Sequence, residues 1–351
     1  MVTDPAGITP AVLTSMLRQD GCLGTAFVTN VSVAPWRRKR FAHLHRLHVD
    51  YSAATDLPAT FMLKSSRTDT KPSATVWQRR WKEHRFYTQL AAAMPDSPAP
   101  RAYVSRFDED SGRSLLLMAD HTETHIALHS PLLPTPSLLQ GAIDCLAGFH
   151  AAWWDHADLA AAAAERDDAW RLQAVESQRR RLDRFFSVYR PQLPAESVHA
   201  LETVIASWPV IQRRRATEPL TVVHGDAHPW NVLAPADAQG QTLLLDWEGW
   251  SIEPAAHDLA SLLALHVPVE MRRSLEAMLL DRYLMRLHAR GASLVTPDSL
   301  RDDYRLAVAR RMLTPVGLWS RGVPSRVWWP VLAQVTAAFG DLQCEERLAD
   351  R

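Results

Sequence analysis

The chain has 351 residues, of which 47% are hydrophobic and 22% charged, as expected for a globular protein with one large domain or two smaller ones. Lys and Arg total 39, as do Asp and Glu, so the formal net charge is zero and argues against a general nucleic-acid-binding protein. The three cysteines, Cys22, Cys145 and Cys344, are widely separated and speak against a disulfide framework or a thiolate zinc site.

The N-terminal residues do not resemble a secretory signal. They contain an acid and prolines where such a signal would be basic and then apolar. No uncharged apolar run approaches the ~20 residues that a membrane-spanning helix needs. We therefore expect a cytoplasmic protein with no membrane partner. The sequence does not indicate an oligomeric state.

One helix is predicted at 9–18, and the rest of the first 120 residues is rich in strand patterns. Alternation and a high content of Val and Phe favour strands, and an apolar stripe near period 3.6 favours a helix. The predicted order is an antiparallel meander of strands at 26–33, 46–51 and 60–64, a helix within 73–94, and two strands at 101–110 and 113–120.

After Asp120 the pattern becomes helical. Thr135 and Pro136 form a typical helix start, and Leu139, Ile143 and Leu146 then share one helical face. Short apolar strands are predicted at 219–226 and 243–247. Further helices are predicted at 157–187, 195–215, 258–266, 270–290, 299–314 and 328–342. We therefore predict an α+β protein with a β-rich lobe, 1–119, and a larger helical lobe, 120–351.

The segment 221–246 carries the side chains of a phosphoryl-transfer site. One apolar strand leads into Asp226, Asn231 follows five residues later, and a second strand leads to Asp246. Asp and Asn oxygens suit the Mg²⁺ ions that neutralise nucleotide phosphates, and an Asp in a tight loop can orient a hydroxyl and accept its proton. Gly225 permits such a loop. The segment predicts phosphoryl transfer from MgATP.

An upstream pair supports this interpretation. Lys64 ends an apolar strand, and Glu83 lies 19 residues later in the predicted helix. Alone, Lys64 is typical of a surface lysine whose ammonium group reaches solvent. Together with Glu83 and the acidic segment that follows, it is better explained as a lysine that contacts the ATP phosphates and pairs with a helical glutamate.

The run HGDAHPWNVL, followed by LLLDWEGW and DLA, resembles the signature of the aminoglycoside phosphotransferase/choline kinase superfamily. The resemblance covers residues 18–340 and implies a bilobal protein-kinase-like fold with ATP in the cleft between the lobes. It is greatest to the CHK-like, ecdysteroid-kinase-like branch. The features that carry this closer likeness are Lys64, Glu83 with Tyr87, Asp246 with Trp247, and Trp250.

The resemblance implies a role for each matching residue. Asp226 would be the catalytic base, Asn231 and Asp246 would bind Mg²⁺, and Lys64, oriented by Glu83, would hold the ATP phosphates. The other implied residues are Leu117, Met118 and Ala119 at the hinge that meets adenine, Gly24 and Thr25 in a glycine-poor phosphate loop, His224 and Asp258 as supports of the catalytic loop, and His228, Trp247 and Trp250 around a substrate pocket.

Two alternatives come from other functional classes. His224, Asp226 and His228 alternate and could bind a metal in a metal-dependent hydrolase. This alternative leaves Asn231, Lys64 and Glu83 unexplained. A pseudokinase would instead bind nucleotide without turnover. The aromatic residues Trp247 and Trp250 are as well explained by packing as by ligand binding.

The acceptor is a small-molecule hydroxyl compound whose identity stays open. An aminoglycoside would need clustered carboxylates, for which Asp302, Asp303, Glu253 and Glu248 are candidates. Choline would need an aromatic cage, for which Trp247 and Trp250 are candidates. A sterol, macrolide or similar alcohol would need an apolar pocket among the C-terminal helices, and the CHK-like resemblance favours this class.

Overall fold

The computed structural model describes residues 7–38, 42–67, 72–156, 159, 168–215, 217–237 and 240–348. The chain divides into two compact units. The first comprises Met1–Ile126 and Leu233–Trp250, and the second comprises Ala127–Val232 and Ser251–Arg351. A lobe boundary at residue 119 stays a prediction.

The first unit contains a five-stranded antiparallel sheet in the order β1-β2-β3-β5-β4. Its strands are β1 (Val28–Arg38), β2 (Ala42–Tyr51), β3 (Thr60–Ser66), β4 (Ala102–Asp108) and β5 (Arg113–Ala119). The predicted meander and the two later strands are confirmed. Strand β1 is longer than predicted because its pairing with β2 continues to Arg38.

The core of this unit lies on one face of the sheet. Helix α1 (Pro10–Gln19) begins at Thr9, whose hydroxyl accepts the N–H of Val12, and it packs into this core. The buried residues include Leu13 and Leu17 from α1, Leu47 and Val49 from β2, and Phe61 and Leu63 from β3. Because strand side chains alternate between faces, Lys64 leaves the sheet on the side opposite Leu63.

Helix α2 (Ala74–Arg85) follows β3 and begins at Ser73, whose hydroxyl accepts the N–H of Val76 at 3.4 Å. It continues as a π-helical turn, Phe86–Leu90, in which Phe86 and Tyr87 are buried. The helix predicted within 73–94 is therefore present, although its last part is not α-helical. Three short strands form another sheet in the order β6-β8-β9. They are β6 (His125–Ala127), β8 (Val232–Pro235) and β9 (Leu243–Leu244).

The second unit is mainly helical. Its helices are α3 (Pro136–Ala152), α4 (Asp168–Tyr189), α5 (Ala195–Ala206), α6 (Trp208–Arg215), α7 (Ala256–His266), α8 (Val269–His288), α9 (Pro297–Arg311), α10 (Thr314–Ser320) and α11 (Ser325–Asp341). The predicted apolar face of α3 is confirmed, since Leu139, Ile143 and Leu146 are fully buried. Within the described residues, no helix is long and apolar enough to cross a membrane.

Two predicted helices differ from the structure or fall partly outside the described residues. The single helix predicted at 195–215 is wrong, because the chain breaks at Ser207 and restarts as α6, where Pro209 occupies an early position that needs no N–H donor. The helix predicted at 157–187 falls partly on residues 157–158 and 160–167, which lie outside the described residues. Its remainder is α4.

A two-stranded sheet positions the loop that begins at His224. Strand β7 (Thr221–Val223) pairs antiparallel with β10 (Ser251–Glu253), with Val222 opposite Ile252. All three residues of β7 are buried. The chain leaves this buried strand directly into His224 and Asp226.

Candidate active site

The loop 224–231 is held by one buried carboxylate. Asp258, in the first turn of α7, accepts the backbone N–H of His224 at 2.6 Å and that of Gly225 at 2.9 Å. Gly225 has φ +81°, a left-handed conformation that disfavours a side chain. The two amides of this turn both donate to the Asp258 carboxylate.

A histidine from α3 completes the support. His150 is fully buried, with Nε2 3.2 Å from the Asp258 carboxylate and Nδ1 2.9 Å from the hydroxyl of Tyr283. Burial alone would raise the pKa of Asp258, but the hydrogen bond from His150 and the electrostatic interaction with the neighbouring imidazoles lower it overall. Asp258 is thus held as a carboxylate. Sequence spacing does not reveal this His150 contact.

The loop is also closed by its own side chains. His224 is buried, and its Nδ1 accepts the backbone N–H of Asp226 at 3.2 Å. Asn231 donates its amide to the backbone carbonyl of Asp226 at 3.1 Å, which leaves the amide oxygen as the atom suited to a cation. The side chain of Asp226 is 60% exposed. A rigid loop therefore presents an accessible carboxylate.

In the first unit, a buried lysine joins two carboxylates. Lys64 Nζ lies 2.6 Å from Glu83 Oε1 and 2.9 Å from Asp246 Oδ1. The predicted pair of Lys64 with Glu83 is present, and Asp246 joins it from a distant part of the sequence. Burial alone would lower the pKa of Lys64, but Asp246 and Glu83 raise it well above its usual value. Burial raises the pKa of Glu83, and the charge of Lys64 opposes that rise.

Asp246 has an unusual backbone. Its φ of 62° and ψ of 59° lie in the left-handed region, which Asp tolerates better than most residues but which costs free energy. The neighbouring Trp247 fixes this turn. Its indole is fully buried, stacks on Phe86 with 4.0 Å between ring centroids, and donates Nε1–H to the carbonyl of Leu244 at 2.8 Å.

The two tryptophans predicted as pocket walls are both committed to packing. Trp247 is fully buried and presents no open face to a ligand, so it is a packing residue. Trp250 donates its Nε1–H to the carbonyl of Lys82 at 2.8 Å, and the Lys82 ammonium donates to the carbonyl of Trp250 at 2.9 Å. These bonds tie Trp250 to α2.

The predicted nucleotide-binding residues before the loop occupy two places. Met118 and Ala119 end β5, and the N–H of Ala119 already donates to the carbonyl of Arg101 at 2.8 Å. Gly24 and Thr25 precede β1, where Arg18 donates to the carbonyl of Thr25 at 3.2 Å. They do not lie between β1 and β2, and residues 39–41, which follow β1 in the sequence, are outside the described residues.

The hydrolase alternative is not supported by the geometry. Across the described ranges, no three His, Cys, Asp or Glu side chains are grouped so that they could hold a metal ion. His224 Nδ1 accepts a backbone N–H, and His228 Nε2 lies 3.9 Å from Asp226 Oδ2. His224, Asp226 and His228 therefore form a structured loop and not a three-ligand set.

Three of the four acidic residues suggested for a cationic acceptor form ion pairs. Glu253 lies 2.5 Å from Arg215 and 3.1 Å from Arg310. The other two pairs are Asp302 with Arg347 at 2.6 Å and Glu248 with Arg79 at 2.9 Å. Each of these three carboxylates therefore already has a cationic partner within the chain.

Solved structures show the fold class. A candidate aminoglycoside phosphotransferase from Ralstonia eutropha is 15% identical, with 95% of this chain and 97% of that chain covered and a TM-score of 0.57. A GDP complex of aminoglycoside 2'-phosphotransferase-IIIa is 11% identical (94% and 99% covered, TM-score 0.55). A choline kinase from Streptococcus pneumoniae is 13% identical (90% and 94% covered, TM-score 0.51). The predicted kinase-like α+β fold is confirmed.

The family follows from a sequence match. The model of the phosphotransferase enzyme family matches residues 50–294, so the chain belongs to this family and is a phosphotransferase. The matched range includes Lys64, Glu83, Asp226, Asn231 and Asp246. A comparison with curated proteins finds no match. The superfamily predicted from the sequence is confirmed, while the CHK-like branch stays a prediction.

Proposed function

We propose that this phosphotransferase transfers the terminal phosphoryl group of MgATP to a hydroxyl group of a small molecule. The observation that carries the proposal is the braced loop, which presents Asp226 as an exposed carboxylate on an otherwise satisfied backbone. A loop that is fixed before substrate arrives can orient a reacting hydroxyl without further reorganisation.

Asp226 acts as the base. It accepts the proton of the acceptor hydroxyl as that oxygen forms its bond to phosphorus, while the bond from phosphorus to the nucleoside diphosphate breaks. His224 and Asn231 hold the backbone on either side of Asp226. Their contribution is to keep the carboxylate in one orientation.

Lys64 supplies the positive charge for the nucleotide phosphates. Its ammonium group lies 2.6 Å from Glu83, which anchors it, and 2.9 Å from Asp246. The donor chemistry of Asn231 and Asp246 fits Mg²⁺, because one offers an amide oxygen and the other a partly exposed carboxylate. When bound, Mg²⁺ would neutralise charge on the phosphate oxygens.

Nucleotide binding can be measured by thermal stability, with and without MgATP or MgGTP. A ligand at about 100 times its Kd stabilises the native state by about 2.7 kcal/mol, which gives a clear rise in Tm. We expect this rise in the wild type and a much smaller one in Asp246→Ala. Absence of a rise with either nucleotide would contradict the proposal.

Turnover is tested by Asp226→Ala. We expect kcat for ATP consumption with an acceptor to fall about 10²- to 10⁴-fold, since general base catalysis contributes that much, while the MgATP-dependent rise in Tm persists. The control is Asp183→Ala, which removes an exposed aspartate of α4 and should leave kcat unchanged. Nucleotide binding without consumption of ATP by any acceptor would favour the pseudokinase alternative.

A further inference from the structure

Two histidines flank Asp226 in the loop 224–231, and they lie in different surroundings. His224 is fully buried, and its Nδ1 accepts the backbone N–H of Asp226 at 3.2 Å. The side chain of His228 is 20% exposed. Its Nδ1 is buried, and its Nε2 lies 3.9 Å from Oδ2 of Asp226. His224 thus holds the backbone of the loop, whereas His228 faces the carboxylate itself.

The imidazole ring of His228 is held by its neighbours. Its backbone is extended, with φ −151° and ψ 158°, and its carbonyl accepts the N–H of Asn231 at 2.9 Å. The ring centroid lies 5.5 Å from that of Trp230 and 5.4 Å from that of His266, the last residue of α7. Trp230 is itself tied to the carbonyl of Leu132, to which its Nε1–H donates at 3.2 Å. These contacts fix the position of Nε2 relative to the Asp226 carboxylate.

The separation of 3.9 Å between His228 Nε2 and Asp226 Oδ2 is too long for a direct hydrogen bond, whose usual limit is about 3.2 Å. The same separation fits one oxygen atom that contacts both groups. At about 2.8 Å from each, that oxygen would form an angle of about 90° between them. A hydroxyl group can donate its proton to a carboxylate and accept from an imidazole N–H, and a second lone pair then remains for the bond to phosphorus. The two side chains are therefore spaced to hold a single hydroxyl group.

We propose that His228 is a further catalytic residue, whose Nε2–H holds the oxygen of the acceptor hydroxyl while Asp226 accepts its proton. The inference rests on the proposed function, because it adds a contact to the same acceptor. The hydroxyl oxygen forms its bond to phosphorus as the bond from phosphorus to the nucleoside diphosphate breaks. Its proton passes to Asp226, and His228 keeps its own. Because catalysis of phosphoryl transfer is mainly positioning, this second contact should act on kcat.

The first experiment is a crystal structure of the full chain grown with glycerol as a hydroxyl probe. We expect an oxygen, from glycerol or from water, within about 3.2 Å of both Asp226 Oδ2 and His228 Nε2. The competing arrangement is a direct hydrogen bond between the two side chains, with the gap closed to about 2.8 Å. That arrangement, an empty gap, or an oxygen that contacts Asp226 alone would overturn the inference.

Variants test the same contact through turnover. ATP consumption is measured with glycerol, glucose and inositol as acceptors and with water alone, and the fastest of these reactions is used. His228→Leu removes the N–H donor but keeps apolar bulk beside Trp230, and we expect kcat to fall about 10- to 100-fold because the hydroxyl is no longer fixed in direction. His228→Gln brings an amide N–H near the position of Nε2 and should recover part of this loss. The KM for MgATP should change in neither variant, since the contact is to the acceptor.

The matched control is His199→Leu. His199 lies on α5 with its side chain 63% exposed, and its Nε2 is 3.0 Å from Glu345, so the change should leave kcat as in the wild type. A merely structural role for His228 would instead lower the Tm of both His228 variants together, with no recovery of kcat in His228→Gln. That pattern, or a wild-type kcat in His228→Leu, would show that His228 does not hold the hydroxyl.

The outcomes for the two proposals are distinguishable, because Asp226→Ala is measured in the same reactions. Full kcat in Asp226→Ala contradicts the proposed function. A loss of kcat in Asp226→Ala with none in His228→Leu overturns only the inference. The crystal structure needs no turnover, so it decides the inference even where every one of these acceptors reacts slowly.

Discussion

Asp246 in the first unit and Asp258 in the second are held in opposite ways. Asp258 is completely buried, and its oxygens accept two backbone N–H groups and approach His150. Asp246 is 25% exposed and is held by the movable ammonium group of Lys64. Both carboxylates are close to residues implied in the same reaction, yet their partners differ in kind.

The difference shows which carboxylate can exchange partners. Backbone amides cannot leave Asp258 unless the loop changes its conformation, so Asp258 is a structural residue. Lys64 is a long side chain that can turn toward phosphate and leave an oxygen of Asp246 for a cation. Asp258, held by backbone amides, therefore fixes the conformation of the loop. Asp246, held by a side chain, can exchange that partner for a bound cation.

The largest effect is expected from Asp258→Ala. The change leaves two buried amides and a buried histidine unsatisfied, so the free energy of unfolding should fall by about 3–5 kcal/mol. Urea denaturation at pH 7 measures it. Asp298→Ala, an exposed aspartate of α9, should cost no more than about 1 kcal/mol. A similar small loss in Asp258→Ala would show that the loop does not depend on this carboxylate.

A smaller effect is expected from Lys64→Met, which should lower the free energy of unfolding by about 2–3 kcal/mol at pH 7. The loss is smaller because the two carboxylates left behind can partly avoid their mutual repulsion by protonation. The pKa of Glu83, already raised by burial, would rise further without Lys64. Ionised Glu83 would then be the source of the loss, so the difference from wild type should shrink as pH falls toward 4.5. In Asp258→Ala the missing acceptor is not replaced at any pH.

Denaturation of both variants at pH 7 and pH 5 makes this contrast measurable. Arg113→Met, which removes an exposed cation from β5 of the same sheet, serves as the control and should show no such pH dependence. If Lys64→Met lowered the free energy of unfolding by the same amount at both values of pH, the ionised carboxylates of Glu83 and Asp246 would not be the cause of the loss.

The smallest effect concerns Glu218, whose pKa is raised where that of Asp258 is lowered. Between pH 5 and 8 the unfolded chain has lost this proton while the folded chain retains it, so stability should fall as pH rises. Solvent screening reduces the effect, so we expect the free energy of unfolding of Glu218→Gln to fall by about 1–2 kcal/mol less than that of the wild type over this pH range. Denaturation over this range, with the exposed Glu196→Gln as control, would reveal it. A parallel fall in both variants would argue against the raised pKa.

Local sequence was sufficient for much of the first unit and for the loop. Alternation of apolar residues predicted the strands, because their period follows from backbone geometry. Lys64 and Glu83 were paired from a strand and a helix close in sequence, and the contact is present at 2.6 Å. The π-helical turn after Arg85 was not predicted, and the break at Ser207 was missed although Pro209 is a helix-breaking signal in the sequence.

The sequence by itself determined the order of elements, the Asp226 to Asn231 spacing and the family, because these depend on short stretches of chain. Tertiary structure alone decided which distant groups meet. His150 and Asp258 are 108 positions apart, and Lys64 and Asp246 are 182 positions apart. Packing also buried Trp247 and paired Arg310 with Glu253. The residue type alone sets a side chain's charge, whereas its partner depends on which elements the fold brings within hydrogen-bond distance.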